Sequence, residues 1–244
     1  MRTVHTSDRH HFRPSSLPVK FTSGEIYFRS SGIEHIILPM NEIQGNRLVY
    51  DGRRNIYVYN NPRIEPAIFD GGIHLNGDRQ YVDVGQNVVC GGSLVNCHRG
   101  MTLRYKVNPA ELEDNTYFVS SAPIDVYYRN GRMYVEARTP DKTWRVNRQS
   151  LQPNDWSQVD VSWDPIGGLS LYHNGQLVDS MNQPEDNREP YDGDRTFYIG
   201  RHYTDMRDER YVNGIIDDFQ VWNARRDILI SDGHIINGKA NAHA

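Results

Sequence analysis

The dipeptide Asn-Gly recurs five times, at Asn76-Gly77, Asn130-Gly131, Asn174-Gly175, Asn213-Gly214 and Asn237-Gly238. Both residues tolerate the positive φ that a two-residue type I′ β-hairpin turn demands. The first three pairs lie between segments that alternate apolar and polar residues. Ile73-His74-Leu75 precedes Tyr81-Val82-Asp83-Val84, Asp125 to Arg129 precedes Met133 to Ala137, and Leu169 to His173 precedes Gln176-Leu177-Val178. Met101 to Val107 places Met101, Leu103, Tyr105 and Val107 on one face, and Gln158 to Trp163 does the same with Val159, Val161 and Trp163. Phe197 to Ile199 and Ile215 to Trp222 read as further strands, and the one helical candidate is Ala224 to Ile230. About a dozen short strands with period-two alternation predict an all-β, antiparallel two-sheet sandwich.

Composition agrees. Val and Ile number 37 against 20 for Leu and Ala, with 15 Tyr, 12 Pro and 20 Gly, a β-branched, aromatic and turn-forming balance. A length of 244 residues suits one all-β domain. Leu, Ile, Val and Phe sum to 56 residues, above the roughly 20% level that marks disordered chains. No apolar run approaches the roughly 20 residues of a membrane span; Ile36 to Met40 is the longest candidate and contains Pro39. Residues 1–22 read as a flexible arm or linker, 23–230 as the folded domain and 231–244 as a tail. His5, His10 and His11 in the arm are irregularly spaced and read as exposed polar residues rather than metal ligands.

The net charge of −4 conceals a preference: 23 of the 27 basic residues are Arg, and 21 of the 31 acids are Asp. Composition bias and surface ion pairs account for much of this, while a guanidinium fork also suits oxyanions. The arginines are spread among acids without a basic cluster, so a nucleic-acid partner is not expected. Cys90 and Cys97 enclose six residues. Two thiols alone make no structural zinc site; a local disulfide is the better reading, with two buried thiols as its alternative. The N-terminus has no apolar leader segment, so a secreted origin requires a fragment or mature form.

The second half resembles the laminin G-like and pentraxin group of concanavalin A-like jelly rolls. The resemblance rests on Trp156-Ser-Gln-Val-Asp-Val-Ser-Trp163, on Gly168-Leu-Ser-Leu-Tyr-His-Asn-Gly175, on Phe197-Tyr-Ile-Gly-Arg201 and on Asn213-Gly-Ile-Ile-Asp-Asp-Phe-Gln-Val-Trp-Asn223. Upstream, His35 to Met40, Gly77 to Gly85 and Cys90-x6-Cys97-x-x-Gly100 are similar to the group's first strands and cysteine-bridged loop. The resemblance implies a concanavalin A-like (laminin G-like) jelly-roll sandwich and favours the Cys90–Cys97 disulfide. Trp156, Trp163 and Trp222 fall in the apolar phase and are expected in the core. Of the adjacent pair Asp217-Asp218, one is expected to point inward or sit at a sheet edge; Asp217 matches the group's structural aspartate, implying a loop-pinning role.

Glucanases share this fold, but their Glu-x-Asp-x-x-Glu strand pattern is absent; Glu111, Glu113 and Asp114 come nearest, beside Pro109. No Gly-x-Ser-x-Gly, P-loop or His-Glu-x-x-His motif occurs either. The resemblance therefore implies a non-catalytic recognition module of a secreted matrix or adhesion protein, of the kind found in the nacre shell-matrix protein Pif, with biomineralisation as one setting. Its expected partner is an extracellular glycan, a matrix protein or a mineral surface; a glycan-cleaving enzyme of the same fold is the alternative. Calcium is the cofactor the resemblance raises, through Asp205, Asp208 and Glu209 in the loop 200–210. Against it, Arg201 and His202 replace acids or amides of the pentraxin pattern, Arg207 and Arg210 interleave the acids, and Ala122 stands where laminin G modules place an aspartate. Arg201, Arg207 and Arg210 are thus the expected ligand-binding residues, reading an anionic group.

Overall fold

The computed structural model describes residues 33–50, 52, 54–68, 70–186, 195–204 and 209–233. The arm expected at 1–22 and residues 234–244 of the expected tail lie outside them. In chain order the strands are β1 (His35–Leu38), β2 (Ile43–Gln44), β3 (Arg47–Leu48), β4 (Tyr57–Tyr59), β5 (Arg63–Glu65), β6 (Gly72–Asn76) and β7 (Tyr81–Gln86). After two short 3₁₀ turns come β8 (Met101–Pro109), β9 (Thr116–Ser121), β10 (Ile124–Arg129), β11 (Arg132–Arg138), β12 (Lys142–Gln149) and β13 (Ser157–Asp164). The set closes with β14 (Gly168–His173), β15 (Gln176–Met181), β16 (Glu185–Asp186), β17 (Thr196–Ile199), β18 (Asn213–Trp222) and helix α1 (Arg226–Ser231).

Two antiparallel sheets form the sandwich. An eight-stranded sheet runs β15-β14-β13-β8-β18-β6-β5, with β1 also on β18; a ten-stranded sheet runs β16-β12-β11-β10-β9-β17-β7-β4-β3-β2. Met101, Leu103, Tyr105 and Val107 of β8 and Val159, Val161 and Trp163 of β13 are buried, as their alternation requires. They meet Phe118, Val126, Val135 and Trp144 in one core. Trp163 packs edge-to-face on Trp144 with ring centroids 5.4 Å apart, a geometry aromatic pairs favour.

Two Asn-Gly pairs make the expected hairpins: Asn130 and Asn174 both have φ 50, followed by Gly131 at φ 74 and Gly175 at φ 79. Asn76-Gly77 does not. Strand β6 belongs to the eight-stranded sheet and β7 to the ten-stranded one, so this connection is an arch between sheets. Side chains hold it: Asn76 Oδ1 accepts from Asp78 N (2.9 Å), and Gln80 Oε1 accepts from Asn76 N (2.9 Å). Asn213-Gly214 opens β18 instead of turning; a Cβ on Gly214 would lie 2.5 Å from Asn108 O, so only glycine admits this approach to β8.

The alternation of β18 changes phase once. Ile216 faces Val107 and Asp217 faces Lys106, but the next paired residue is Gln220, opposite Arg104. The extra residue is taken up by a bulge with Asp218 at φ 51. This corrects the expectation that one aspartate must point inward or lie at an edge: both carboxylates stay on the outer side, Asp218 reaching Lys106 Nζ at 3.0 Å, while Phe219 takes the core position. The same shift turns Trp222 outward, opposite Thr102. There it packs with Ala224, Leu229 and Ile228 in a second cluster under α1, so it is buried but outside the main core. Trp156 precedes β13 and is only half-buried, a further departure from expectation.

Cys90 and Cys97 are bridged. Cys90 N donates to Asn223 Oδ1 (3.3 Å) and Asn223 Nδ2 donates to Glu34 Oε2 (3.0 Å), tying the bridged loop to the end of β18. On the far side, the part of the β12 edge that β16 leaves unpaired is covered by side chains of β15: Asn147 N donates to Asp179 Oδ2 (2.8 Å) and Arg145 N to Met181 Sδ (3.4 Å), which blunts that edge.

Trp163→Ala should lower unfolding free energy by about 3–5 kcal/mol through lost burial and the cavity left against Trp144. Urea denaturation measures it; a loss below about 1 kcal/mol would contradict the core packing described here.

Candidate functional site

Alternation on the ten-stranded sheet sends a polar, tyrosine-rich set to the face opposite the core. Tyr127 lies between Tyr117 and Tyr134 in register, and Asp125 lies between Ser120 and Glu136. A register shift in β9 makes this possible, because Phe118 and Val119 are both core residues and Tyr117 returns to the outer face. Across β17, β7 and β4, Tyr198 faces Ser120 and Asp83, and Tyr59 faces Tyr81.

The rings form a row that crosses the strands. Tyr134 stacks on Tyr127 (5.4 Å), Tyr127 on Tyr117 (5.2 Å), and Tyr117 meets His202 edge-on (4.5 Å). The neighbouring residue Arg201 continues the row: its guanidinium lies 5.0 Å from the ring centroids of both Tyr198 and Tyr81, and Tyr81 stacks on Tyr59 at 4.5 Å. Tyr59 is exposed and Tyr81, Tyr198 and Tyr134 are half-buried, while Tyr117 and Tyr127 are buried.

Beside the row, on the same face, lie two buried carboxylates on adjacent strands, Asp125 and Glu136. Arg138 joins them, its Nη1 lying 2.6 Å from Asp125 Oδ2 and its Nη2 pairing with Glu136 Oε2. Glu136 Oε1 also accepts from Tyr127 OH (2.7 Å) and Arg145 Nε (2.8 Å). Asp125 Oδ1 accepts from Ser120 Oγ (2.5 Å), and His202 Nε2 stands 3.9 Å from Asp125 Oδ2. Burial opposes ionisation of Glu136, but Arg138, the Tyr127 hydroxyl and Arg145 outweigh it and hold the carboxyl below its ordinary range. Burial and Glu136 push the Tyr127 phenol up, so it remains a neutral donor.

The structure places the sequence-predicted residues unevenly. Arg201 joins the aromatic row, donates from Nε to His202 O (2.8 Å) and lies 3.8 Å from Glu209 Oε1. Arg210 is exposed beside β9, with Nε 3.2 Å from Glu113 Oε2. Asp205, Arg207 and Asp208 lie outside the described residues. Among the described residues no group of three or more His, Cys, Asp or Glu side chains is arranged to hold a metal. Sequence reasoning missed the row and the carboxylate pair, although the signal was present: Asp125-x-Tyr127 and Tyr134-x-Glu136-x-Arg138 occupy the polar phase of a hairpin whose register the Asn130-Gly131 turn sets.

A family model described as the concanavalin A-like lectin/glucanases superfamily matches residues 76–227. The chain belongs to that superfamily. No curated protein sequence matches it. A structure of botulinum neurotoxin type C, described by cell entry through two ganglioside molecules, is similar at 17% identity and TM-score 0.57, covering 82% of this chain and 51% of its own. The binding domain of botulinum neurotoxin DC in complex with rat synaptotagmin II is similar at 16% identity and TM-score 0.55, covering 82% and 51%. Domain 4 of an extracellular GH43 arabinanase from Geobacillus stearothermophilus, in complex with arabinotriose, aligns at 15% identity and TM-score 0.49 over 78% of this chain and 82% of its own. The toxin structures share the fold, and the chain spans about half their length.

Two outcomes test these electrostatics. Arg138→Met leaves two buried carboxylates without their shared cation and should destabilise the protein by about 3–5 kcal/mol at neutral pH, a loss that shrinks in acid as Glu136, no longer held ionised by Arg138, takes up a proton. Asp217, on the outer face of the other sheet, is pushed up to about 6 by burial and by Asp218. The folded protein therefore holds a proton that the unfolded chain releases above about 3.9, so this group favours folding in acid and opposes it as pH rises to about 6. Asp217→Asn should raise the Tm above that pH and leave it little changed at pH about 4.

Proposed function

We propose that this chain is a non-catalytic recognition module of a secreted matrix or adhesion protein, and that it binds an anionic glycan on the outer face of the ten-stranded sheet. The carrying observation is the aromatic row from Tyr59 to Tyr134 with the Arg201 guanidinium set in it. Tyrosine rings offer rigid amphipathic surface to the C–H faces of sugars, and a guanidinium suits sulfate or carboxylate groups. Arg207 and Arg210 are proposed as the rim of the same site. The superfamily comprises lectins as well as glucanases, and the toxin structure described by two ganglioside molecules adds support by analogy of fold.

The carboxylate pair supports binding over cleavage. A glycosidase needs one carboxyl protonated as general acid while the other is ionised. Asp125 and Glu136 share one guanidinium, and Arg138, the Tyr127 hydroxyl and Arg145 favour the ionised form of Glu136. The Cys90–Cys97 bridge supports an oxidising, extracellular compartment. A mineral carbonate surface would engage the same arginines, and calcium held by Asp205, Asp208 and Glu209 is the competing arrangement.

Heparin binding at low and physiological salt tests the reading. It should weaken with salt, and changing Arg201, Arg207 and Arg210 together to Gln should reduce affinity at least about tenfold through lost charge-assisted hydrogen bonds. Binding that survives the triple change, or that disappears only on chelation, would transfer the site to calcium. Release of reducing ends from a β-glucan or arabinan that Glu136→Gln abolishes would overturn the non-catalytic reading.

A further inference from the structure

On the inner side of the ten-stranded sheet, behind the Tyr134 end of the row, lies a guanidinium that no carboxylate among the described residues pairs with. The phase of β12 that sends Trp144 and Val146 into the core also directs Arg148 between the sheets. Arg148 Nε donates to Gln149 O (2.7 Å) and Nη2 to Ser150 O (3.4 Å), both on its own chain segment. Its Nη1 is buried with no hydrogen-bond partner. Among the described residues no carboxylate pairs with it, and burial disfavours its charge. Arginine cannot escape this by losing a proton.

From the facing sheet comes His173 of β14, opposite the core residue Val159 in register. Its Nε2 lies 3.0 Å from Ser157 Oγ. Burial first, and Arg148 second, push its imidazole down to about 4, with exposed Asp155 opposing them. Ser150 Oγ donates to Leu151 O (2.6 Å) and stands 3.5 Å from Tyr128 OH. Strands β12 and β14 pack against each other, so the Arg148 guanidinium, the His173 imidazole and the Ser157 hydroxyl lie at the same end of the sandwich, where exposed Asp155 acts on the imidazole.

We propose that Arg148, His173 and Ser157 form a binding site for one compact tetrahedral oxyanion of the sulfate type. Arg148 supplies the free Nη1–H and a fixed positive charge, and Ser157 supplies a hydroxyl donor. His173 is neutral without the anion and becomes a second cation when the anion is bound. Anion binding is thus coupled to uptake of one proton by the imidazole, and the coupling is reciprocal. The site is independent of the aromatic row and of the arginines proposed there.

Inorganic sulfate is the probe, and the His173 ring is followed by NMR over a pH series of the whole chain. Sodium chloride of matched ionic strength serves as the control. Sulfate should raise the His173 pKa by about 1–3 units, as an opposite charge within about 4–6 Å does, and chloride should not. Arg148→Gln should abolish the sulfate response. Ser157→Ala keeps both cations and should weaken sulfate binding about fivefold through one lost hydrogen bond, so the inference stays testable even if Arg148→Gln does not fold. A His173 pKa indifferent to sulfate, or one that responds equally in Arg148→Gln or with unchanged sulfate affinity in Ser157→Ala, would overturn it.

Discussion

Strand β18 must satisfy neighbours on both edges, and the bulge at Asp218 lets it do so. Its one edge lies along β8 for nearly its full length, while the other is shared end to end by β6 and β1. Strict alternation through Ile216, Asp217 and Asp218 would drive a carboxylate into the apolar interior, a costly placement without partners. The bulge supplies one extra residue at that point, so Phe219 and Val221 fill the core. Every later side chain is displaced by one step. Trp222 lands on the outer side, α1 covers it, and Asn223 follows at the position that holds the disulfide-bridged loop. One local insertion thus decides where the terminal helix docks and what the bridged loop is anchored to.

Those consequences explain which parts of the fold were legible in the sequence. Strands with one apolar and one polar face, such as β8 and β13, declare themselves, because Met101, Leu103, Tyr105 and Val107 repeat at period two without interruption. The hairpins at Asn130-Gly131 and Asn174-Gly175 were equally readable from turn chemistry. Strand β12 was not, since only Trp144 and Val146 mark its inner face among Lys, Arg and Asn. Strand β9 was hidden by its register shift, which puts Phe118 and Val119 side by side in the core. Asn76-Gly77 misled for a different reason: a dipeptide that permits positive φ permits a hairpin without requiring one, and the sheet to which the next strand belongs is a long-range decision. Trp222 misled because its phase depends on a bulge that two consecutive aspartates only hint at.

The candidate site was less legible than the fold. Its parts come from β4, β7, β9, β10, β11 and β17, and no stretch of sequence contains more than a few of them. Arg201 was singled out for its loop and for the excess of arginine, yet its partners Tyr81 and Tyr198 are set by strand pairing between segments far apart in the chain. The carboxylates follow the same pattern. Asp125 and Glu136 look like ordinary solvent-facing acids of a hairpin, and only the pairing of β10 with β11 and β9 shows them enclosed by Arg138, Ser120 and Tyr127.

That enclosure also bears on how such a face would work as a recognition surface. The rings of Tyr117 and Tyr127 are buried in the row, and Tyr127 is fixed by its bond to Glu136, so a ligand lying along the row would meet side chains that have already lost their rotamer freedom. Pre-ordered groups spare the association the entropy of immobilising them. Arg201 is held in the same way, between two rings and against His202 and Glu209. Its charge is partly answered by Glu209, which limits non-specific attraction of anions and leaves discrimination to shape along the row. On the proposed reading, Arg138, Glu136 and Asp125 form the rigid support beside the binding surface. The same three residues that resemble a catalytic arrangement in composition then serve to keep the tyrosines in place.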